Sequence, residues 1–175
     1  MTGRLVEFVQ KRRVAAALLI LLSGCAQSDE SGTKGVSDLI MPASEHAGLS
    51  AVETALRIDD VDSPPASVPD VVVQALKQGG ATGAANVTYT WGDPDGFMLI
   101  DGNILLYPTA EAARDSVLSV TEGVESVAGV GDAAFAMGKQ SITFSVGAAR
   151  VSLTAIHGDI DLRSVAETYA AWLAK

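Results

Sequence analysis

Apolar and polar positions alternate along the C-terminal half of the chain in a pattern that predicts short strands. Strands are predicted at residues 86–91, near residues 133–137, and over 141–146 and 150–156. The last two should form a hairpin, because Gly147-Ala148 between them suits a type II′ turn.

Between these strands the sequence predicts two turns. Asp93-Pro94-Asp95-Gly96 is a strong turn signal before the apolar residues 97–100. Asp101-Gly102 or Gly102-Asn103 is expected to form a second turn, or a bulge, ahead of a strand at 104–107.

Helices are predicted where capping residues precede an apolar stripe. Ser50 and Glu53 have capping-box spacing, which predicts a short helix over 51–58. A second helix is expected over about 68–78, ended by Gly79-Gly80, although the run Val71-Val72-Val73 also suits a strand. Two further helices should begin at the caps Thr109 and Asp161. The stripe of the Thr109 helix is Ala110, Ala113, Val117, Val120 and Val124, and that of the last helix is Leu162, Val165, Tyr169, Trp172 and Leu173.

This order of elements indicates an α+β fold. We expect an antiparallel sheet of about five strands packed with helices. A doubly wound parallel sheet is disfavoured, because strands and helices do not alternate regularly.

The N-terminal region resembles the signal sequence of a bacterial lipoprotein. Lys11-Arg12-Arg13 is followed by nine apolar residues, 14–22, which are too few to span a bilayer as a helix. Leu22-Ser23-Gly24-Cys25 resembles the lipobox, which implies cleavage before Cys25 and lipidation of its thiol. The alternative is an ordinary signal peptide that happens to contain a cysteine. Of the two export routes, the general secretory pathway is favoured over the twin-arginine route.

Three regions follow from this interpretation. Residues 1–24 are expected to be the signal peptide and residues 25–47 a lipidated flexible tether, rich in Ser, Gly, Asp and Glu. A single α+β envelope domain should occupy residues 48–175. Membrane attachment through lipid on Cys25 would hold this domain on the extracytoplasmic face of the cell membrane.

Charge and cysteine content exclude several kinds of function. After residue 24 the chain has eight Lys and Arg against twenty Asp and Glu, a net charge of −12. So acidic a surface repels nucleic acid, and we expect no nucleic-acid partner. The single cysteine leaves no internal disulfide and no cysteine-based zinc site.

No motif in the chain predicts catalysis, a cofactor or a metal site. The run Gly129-Val130-Gly131-Asp132-Ala133-Ala134 fits a dinucleotide-binding pattern formally, but a tight turn entering a strand explains it better. Asp93–Gly96 has the look of half a calcium loop without the remaining ligands. The acidic residues 59, 60 and 62 are interpreted as a solvated loop. His46 and His157 lack a third zinc ligand nearby.

The aromatic side chains suit either a shared core, which is favoured, or a ligand pocket. They are Tyr89, Trp91, Phe97, Phe135, Phe144, Tyr169 and Trp172.

From Val87 onward the chain resembles small lipoproteins of actinobacteria, particularly those of mycobacteria. The resemblance depends on Tyr89, on residues 109–113 at the start of a helix, and on residues 129–134 before the final hairpin. It implies an envelope location without an established enzymatic activity, and it transfers no functional residue.

The function expected from these observations is non-enzymatic. The domain should recognise a protein partner or an envelope component while anchored to the membrane. The alternative is a carrier for a small ligand or lipid, with a cavity between sheet and helix.

Overall fold

The computed structural model describes residues 35–92, 98–120, 123–156 and 158–175. Within them lie seven strands: β1 (Leu49–Ile58), β2 (Gly83–Trp91), β3 (Leu99–Leu106), β4 (Glu125–Ser126), β5 (Ala133–Met137), β6 (Ser141–Val146) and β7 (Ala149–Ala155). The helices are α1 (Asp70–Gln78), α2 (Ala110–Leu118) and α3 (Leu162–Leu173), preceded by two short 3₁₀ helices, Val36–Leu39 and Ala43–Glu45. The predicted signal peptide, Cys25, the Asp93–Gly96 turn and His157 lie outside the described residues.

The seven strands form one antiparallel sheet in the order β1-β2-β3-β7-β6-β5-β4. The α+β prediction is therefore confirmed, with seven strands in the described residues instead of about five. The additional strands are β1 and the two-residue β4. No helix in the described ranges is long and apolar enough to cross a membrane.

The helix predicted over residues 51–58 is wrong, because these residues belong to β1. This strand pairs with β2 from Leu49 to Ile58, with two register shifts along its length. Pairing with β2 satisfies the backbone groups of β1 that face its neighbour, and Val52 and Thr54 are β-branched residues that suit a strand. The spacing of Ser50 and Glu53 is local information that this tertiary pairing overrides.

The turn or bulge predicted at residues 101–103 is also wrong. β3 continues through Gly102 and pairs with β2 and β7 without a register shift. A Cβ on Gly102 would lie 2.8 Å from Cγ2 of Val87 and 3.6 Å from Cδ2 of Leu153. The absence of a side chain at Gly102 therefore allows Val87 and Leu153 to pack closely over β3.

The other helix predictions are confirmed. α1 ends at Gly79 and Gly80, the latter at a φ of 77°. Thr109 caps α2, and its Oγ1 accepts a hydrogen bond from the Ala112 N–H at 3.1 Å. α2 ends at Leu118, earlier than its predicted stripe, which ran on to Val124. Asp161 caps α3 and accepts a hydrogen bond from the Ser164 N–H at 3.1 Å.

One side of the sheet, here called the closed face, is covered by α3 and by the N-terminal segment, residues 35–46. α3 packs on β6 and β7, while the first 3₁₀ helix packs on β1, β2 and β3. The main hydrophobic core lies here and includes Val36, Leu39, Met41, Val87, Tyr89, Ile100, Ile104, Phe144, Val151, Leu153, Val165, Tyr169 and Leu173.

The boundary predicted at residue 48 is therefore too late. Residues 35–46 were assigned to the tether, but Val36, Leu39 and Met41 are buried in the core. These three residues are the apolar interruptions of a polar stretch, and burying them compensates the entropy lost when the segment is ordered.

The other side of the sheet, here called the open face, is covered only in part. α2 packs over β5, β6 and β7 and buries Ala113 and Val117. At the other end, a small cluster formed by Ile58, Val61, Val68 and Val73 joins α1 to the end of β1. Between the two helices, alternate side chains of β2, β3 and β7 face outward, while the others point into the main core.

Candidate functional site

The aromatic residues considered for a ligand pocket mostly fill the core. Tyr89, Phe144 and Tyr169 are fully buried, and Tyr169 makes edge contacts with the other two rings at centroid distances of 6.2 and 6.0 Å. Phe135 is also buried, while Phe97 lies outside the described residues. The core interpretation is thus supported for the rings beneath α3.

The two tryptophans are half-buried at the rim of this core. Trp172 makes an edge contact with Tyr169 at 5.9 Å, and Trp91 lies 5.4 Å from the His46 ring. The stripe predicted for α3 is buried at Leu162, Val165, Tyr169 and Leu173, with Trp172 at its margin. Trp172 therefore supports the packing of Tyr169 from the side.

Tyr89 and Tyr169 also hold the N-terminal segment through their hydroxyl groups. The Tyr169 hydroxyl donates to the Leu39 carbonyl at 2.6 Å and accepts from the Met41 N–H at 3.2 Å. The Tyr89 hydroxyl donates to the Met41 carbonyl at 3.0 Å. Burial raises the pKa of Tyr169 to about 12 and raises that of Tyr89 further. Both phenols are therefore neutral structural groups at physiological pH.

His46 is held by hydrogen bonds of both ring nitrogens. Its Nδ1 accepts from the Gly48 N–H at 3.0 Å, so its Nε2 carries the hydrogen and donates to Ser164 Oγ at 3.2 Å. The acidic loop is likewise accounted for, since Asp62 pairs with Lys77 at 2.6 Å and Asp60 accepts from the Asp62 N–H. In the described part of the chain, no three His, Cys, Asp or Glu side chains are grouped to hold a metal.

The glycine-rich run at residues 129–134 forms a turn into β5, as predicted. Gly129 and Gly131 have φ angles of 84° and 57°, and a strand follows where a dinucleotide site requires a helix. The Asp132 N–H donates to the Ser145 carbonyl at 2.7 Å, and its carboxylate accepts from the Gly147 N–H at 2.8 Å. These bonds tie the turn to the β6–β7 hairpin.

The open face carries rows of polar side chains across its central strands. Thr88, Asp101 and Thr154 are register partners in one row. Asn86, Asn103, Ser152 and Thr143 form the next row.

Hydrogen bonds order these side chains both across and along the strands. Asn86 Nδ2 donates to Asp101 Oδ1 at 3.0 Å, and Asn103 Nδ2 donates to Asp101 Oδ2 at 3.2 Å. Thr143 Oγ1 donates to Ser152 Oγ at 2.9 Å. The open face is therefore a preorganised polar surface whose side chains lose little further freedom when a partner binds.

A groove adjoins these polar rows, between α1 and α2, with a volume of about 300 Å³. Leu105 and Arg150, register partners on β3 and β7, lie on its floor. Its lining is Ala75, Leu76, Gly79, Ala81, Leu105, Tyr107, Ser116, Ser119 and Arg150.

Arg150 is the unusual residue of this groove. Its Nε is buried and has no hydrogen-bond partner, and no carboxylate of the described residues forms an ion pair with it. Ser145, its register partner on β6, also has a buried hydroxyl without a partner. Leaving a buried donor unsatisfied costs about 1–3 kcal/mol, so the fold alone does not explain the guanidinium at this place.

Another cavity, of about 450 Å³, lies between the β4–β5 edge and the start of α3. Its charged lining is mixed, with Glu125, Asp159 and Asp161 against Lys139 and Arg163. Arg163 is already bonded to Glu167 at 2.9 Å and to the Ala128 carbonyl at 3.2 Å. This cavity therefore selects no particular ligand charge.

Sequence reasoning named Cys25 alone as a functional residue, and that residue lies outside the described ranges. It missed Arg150, which stands in an ordinary strand pattern. The sequence does show a cationic residue on a strand beside a hairpin turn. It does not show that this residue lacks a partner, because that depends on elements distant in the sequence. Comparison of the chain with protein-family models, with curated proteins and with solved structures finds no match.

Proposed function

We propose that the chain is a non-enzymatic lipoprotein, anchored through lipid on Cys25 at the extracytoplasmic face of the membrane, that recognises an envelope partner with its open face. The anchor rests on Leu22-Ser23-Gly24-Cys25 directly after the apolar run. The resemblance to small actinobacterial lipoproteins points the same way. The recognition role rests on one observation, the contrast between a filled closed face and an open face with ordered polar side chains.

This contrast favours a partner-binding domain over a carrier. A carrier for a lipid needs a continuous apolar cavity, and the middle of the space between α3 and the sheet is filled by the rings of Tyr89, Phe144 and Tyr169. The cavity at the start of α3 has five charged residues in its lining, so it offers no continuous apolar surface to a lipid. The groove on the open face lies at the small end of the range for ligand sites, about 300–1,000 Å³. It therefore suits the end of a chain or a small group belonging to a larger partner.

The anchor is tested by metabolic labelling with a palmitate analogue in a bacterial host that processes lipoproteins. Cys25→Ala should abolish labelling, because no other thiol is present in the chain. Ser23→Ala, which keeps a small residue at the cleavage region, is the matched control and should still be labelled. Labelling of Cys25→Ala at the wild-type level would contradict the lipoprotein assignment.

Recognition through the open face is tested by site-specific photo-cross-linking in intact cells. A photoreactive residue at Asn103, which is exposed at the centre of the face, should give discrete cross-linked products. The same residue at Glu167, exposed on the outer side of α3, is the control and should give none. Equal products from both positions would show that the open face is not the recognition surface.

A further inference from the structure

Among the described residues, Arg150 is the only charged one that lines the groove between α1 and α2, and none of them is its partner. We propose that this groove binds the free carboxylate at the C-terminal end of a peptide chain, with Arg150 as its counter-ion. The inference rests on the proposed function and deepens it, because it assigns a chemical class to the partner.

The guanidinium determines the charge and geometry of the ligand. It presents donors in a planar fork that matches the two oxygens of a carboxylate, and it carries a single positive charge. One guanidinium balances a single negative charge, as a carboxylate carries. A phosphate monoester carries about 1.5 to 2 negative charges, and the described residues of the groove lining include no second cation to balance them.

The overall charge of the domain argues against an extended anionic partner. A net charge of −12 after residue 24 repels polyanions and anionic membrane surfaces at long range. A single carboxylate that enters a groove of about 300 Å³ is exposed to the local field of Arg150 instead. The acidic surface and the single cation of the groove together favour a ligand with one isolated anionic group at the end of a chain.

The surroundings of Arg150 favour a peptide as the source of this carboxylate. Ala75, Leu76 and Leu105 give the groove an apolar wall for the last side chain of the peptide. Asn103 and Ser152 form the next pair on the open face, two residues along β3 and β7 from Leu105 and Arg150. Their amide and hydroxyl groups are the donors and acceptors that the preceding peptide units require.

The test measures binding to the purified full chain by thermal unfolding, followed through its two tryptophans. The probes are the dipeptide N-acetyl-Ala-Leu with a free carboxylate, the same dipeptide as its C-terminal amide, hexanoate, and inorganic phosphate. The free acid should raise the melting temperature and bind at least about tenfold more tightly than the amide, because only the acid forms the charge-assisted pair.

Arg150→Met, which keeps the apolar stem, should remove binding of the acid. Its melting temperature without ligand should equal or exceed that of the wild type, because the unsatisfied donor is gone. Arg114→Met removes the same charge from the exposed side of α2 and should bind like the wild type. If Arg150→Met does not fold, Arg150→Lys replaces it and should weaken binding several-fold, because lysine lacks the planar fork.

Equal binding of acid and amide, or unchanged binding by Arg150→Met, would overturn the assignment. If hexanoate binds as tightly as the dipeptide acid, the ligand of the groove is a small free acid and not the end of a peptide. If only phosphate raises the melting temperature, the ligand of the groove is a phosphate group and not a carboxylate. These outcomes differ from a failure of the proposed function, because cross-linking at Asn103 and labelling at Cys25 do not require a free carboxylate.

Discussion

The buried polar residues of this protein differ in whether their polar groups have hydrogen-bond partners. Tyr89 and Tyr169 are buried with their hydroxyl groups bonded to the N-terminal segment. Arg150 has its Nε buried without any such bond. Satisfied buried groups hold a fold together, while an unsatisfied one lowers stability and is informative about function.

The two tyrosines should make the protein sensitive to alkaline pH. Their pKa values in the folded state lie above 10, so their contribution to stability is complete below pH 10 and decreases as pH rises toward about 12. Unfolding free energies measured by urea titration should fall by roughly 2 kcal/mol per tyrosine over this range.

Tyr169→Phe should make this alkaline decrease shallower, because the variant has one fewer group to titrate. At pH 7 it should be less stable by about 1–3 kcal/mol, since the Leu39 carbonyl and the Met41 N–H lose their partner. Tyr107→Phe removes a phenol outside the main core and is the matched control. An alkaline decrease as steep in Tyr169→Phe as in the wild type would contradict this account.

At the scale of elements, the sequence predicts well those that depend on local signals. The β6–β7 hairpin follows from Gly147-Ala148, with Gly147 at a φ of 53°, and α3 follows from its Asp161 cap and apolar stripe. These elements carry their own turn or cap and one strong apolar face, so neighbours in sequence decide their structure.

Elements that depend on distant neighbours were predicted wrongly. The capping-box spacing of Ser50 and Glu53 predicts a helix where β1 lies, but pairing with the edge of β2 determines the conformation of this segment. Gly102 predicts a turn from its sequence, but it lies within β3, where the side chains of Val87 and Leu153 leave no room for a Cβ. The groove was not predictable for the same reason, because α1, α2, β3 and β7 each contribute only part of its lining.

For the whole molecule, the N-terminal segment is part of the folded domain. A chain that begins at residue 48 would lose Val36, Leu39 and Met41 from the core and leave both tyrosine hydroxyl groups without their carbonyl partners. Its unfolding free energy should fall by several kcal/mol, because each buried aliphatic side chain contributes about 2–5 kcal/mol.

A chain that begins at residue 35 is the control and should unfold at the urea concentration of the full chain. The comparison is made by far-ultraviolet circular dichroism during urea titration. Equal midpoints for the chains that begin at 35 and 48 would show that the N-terminal segment adds no stability.

The bonds of Tyr169 to Leu39 and Met41 also constrain the order in which the molecule is assembled. They join residues 130 and 128 positions apart, from the first and last parts of the described chain. The first residues to leave a ribosome or a translocation channel thus wait for almost the last before they dock. Contacts between such distant positions form late, because a long loop must close first. Residues 35–46 consequently cannot dock on Tyr169 until α3 has emerged, so the closed face is completed only when synthesis is nearly finished.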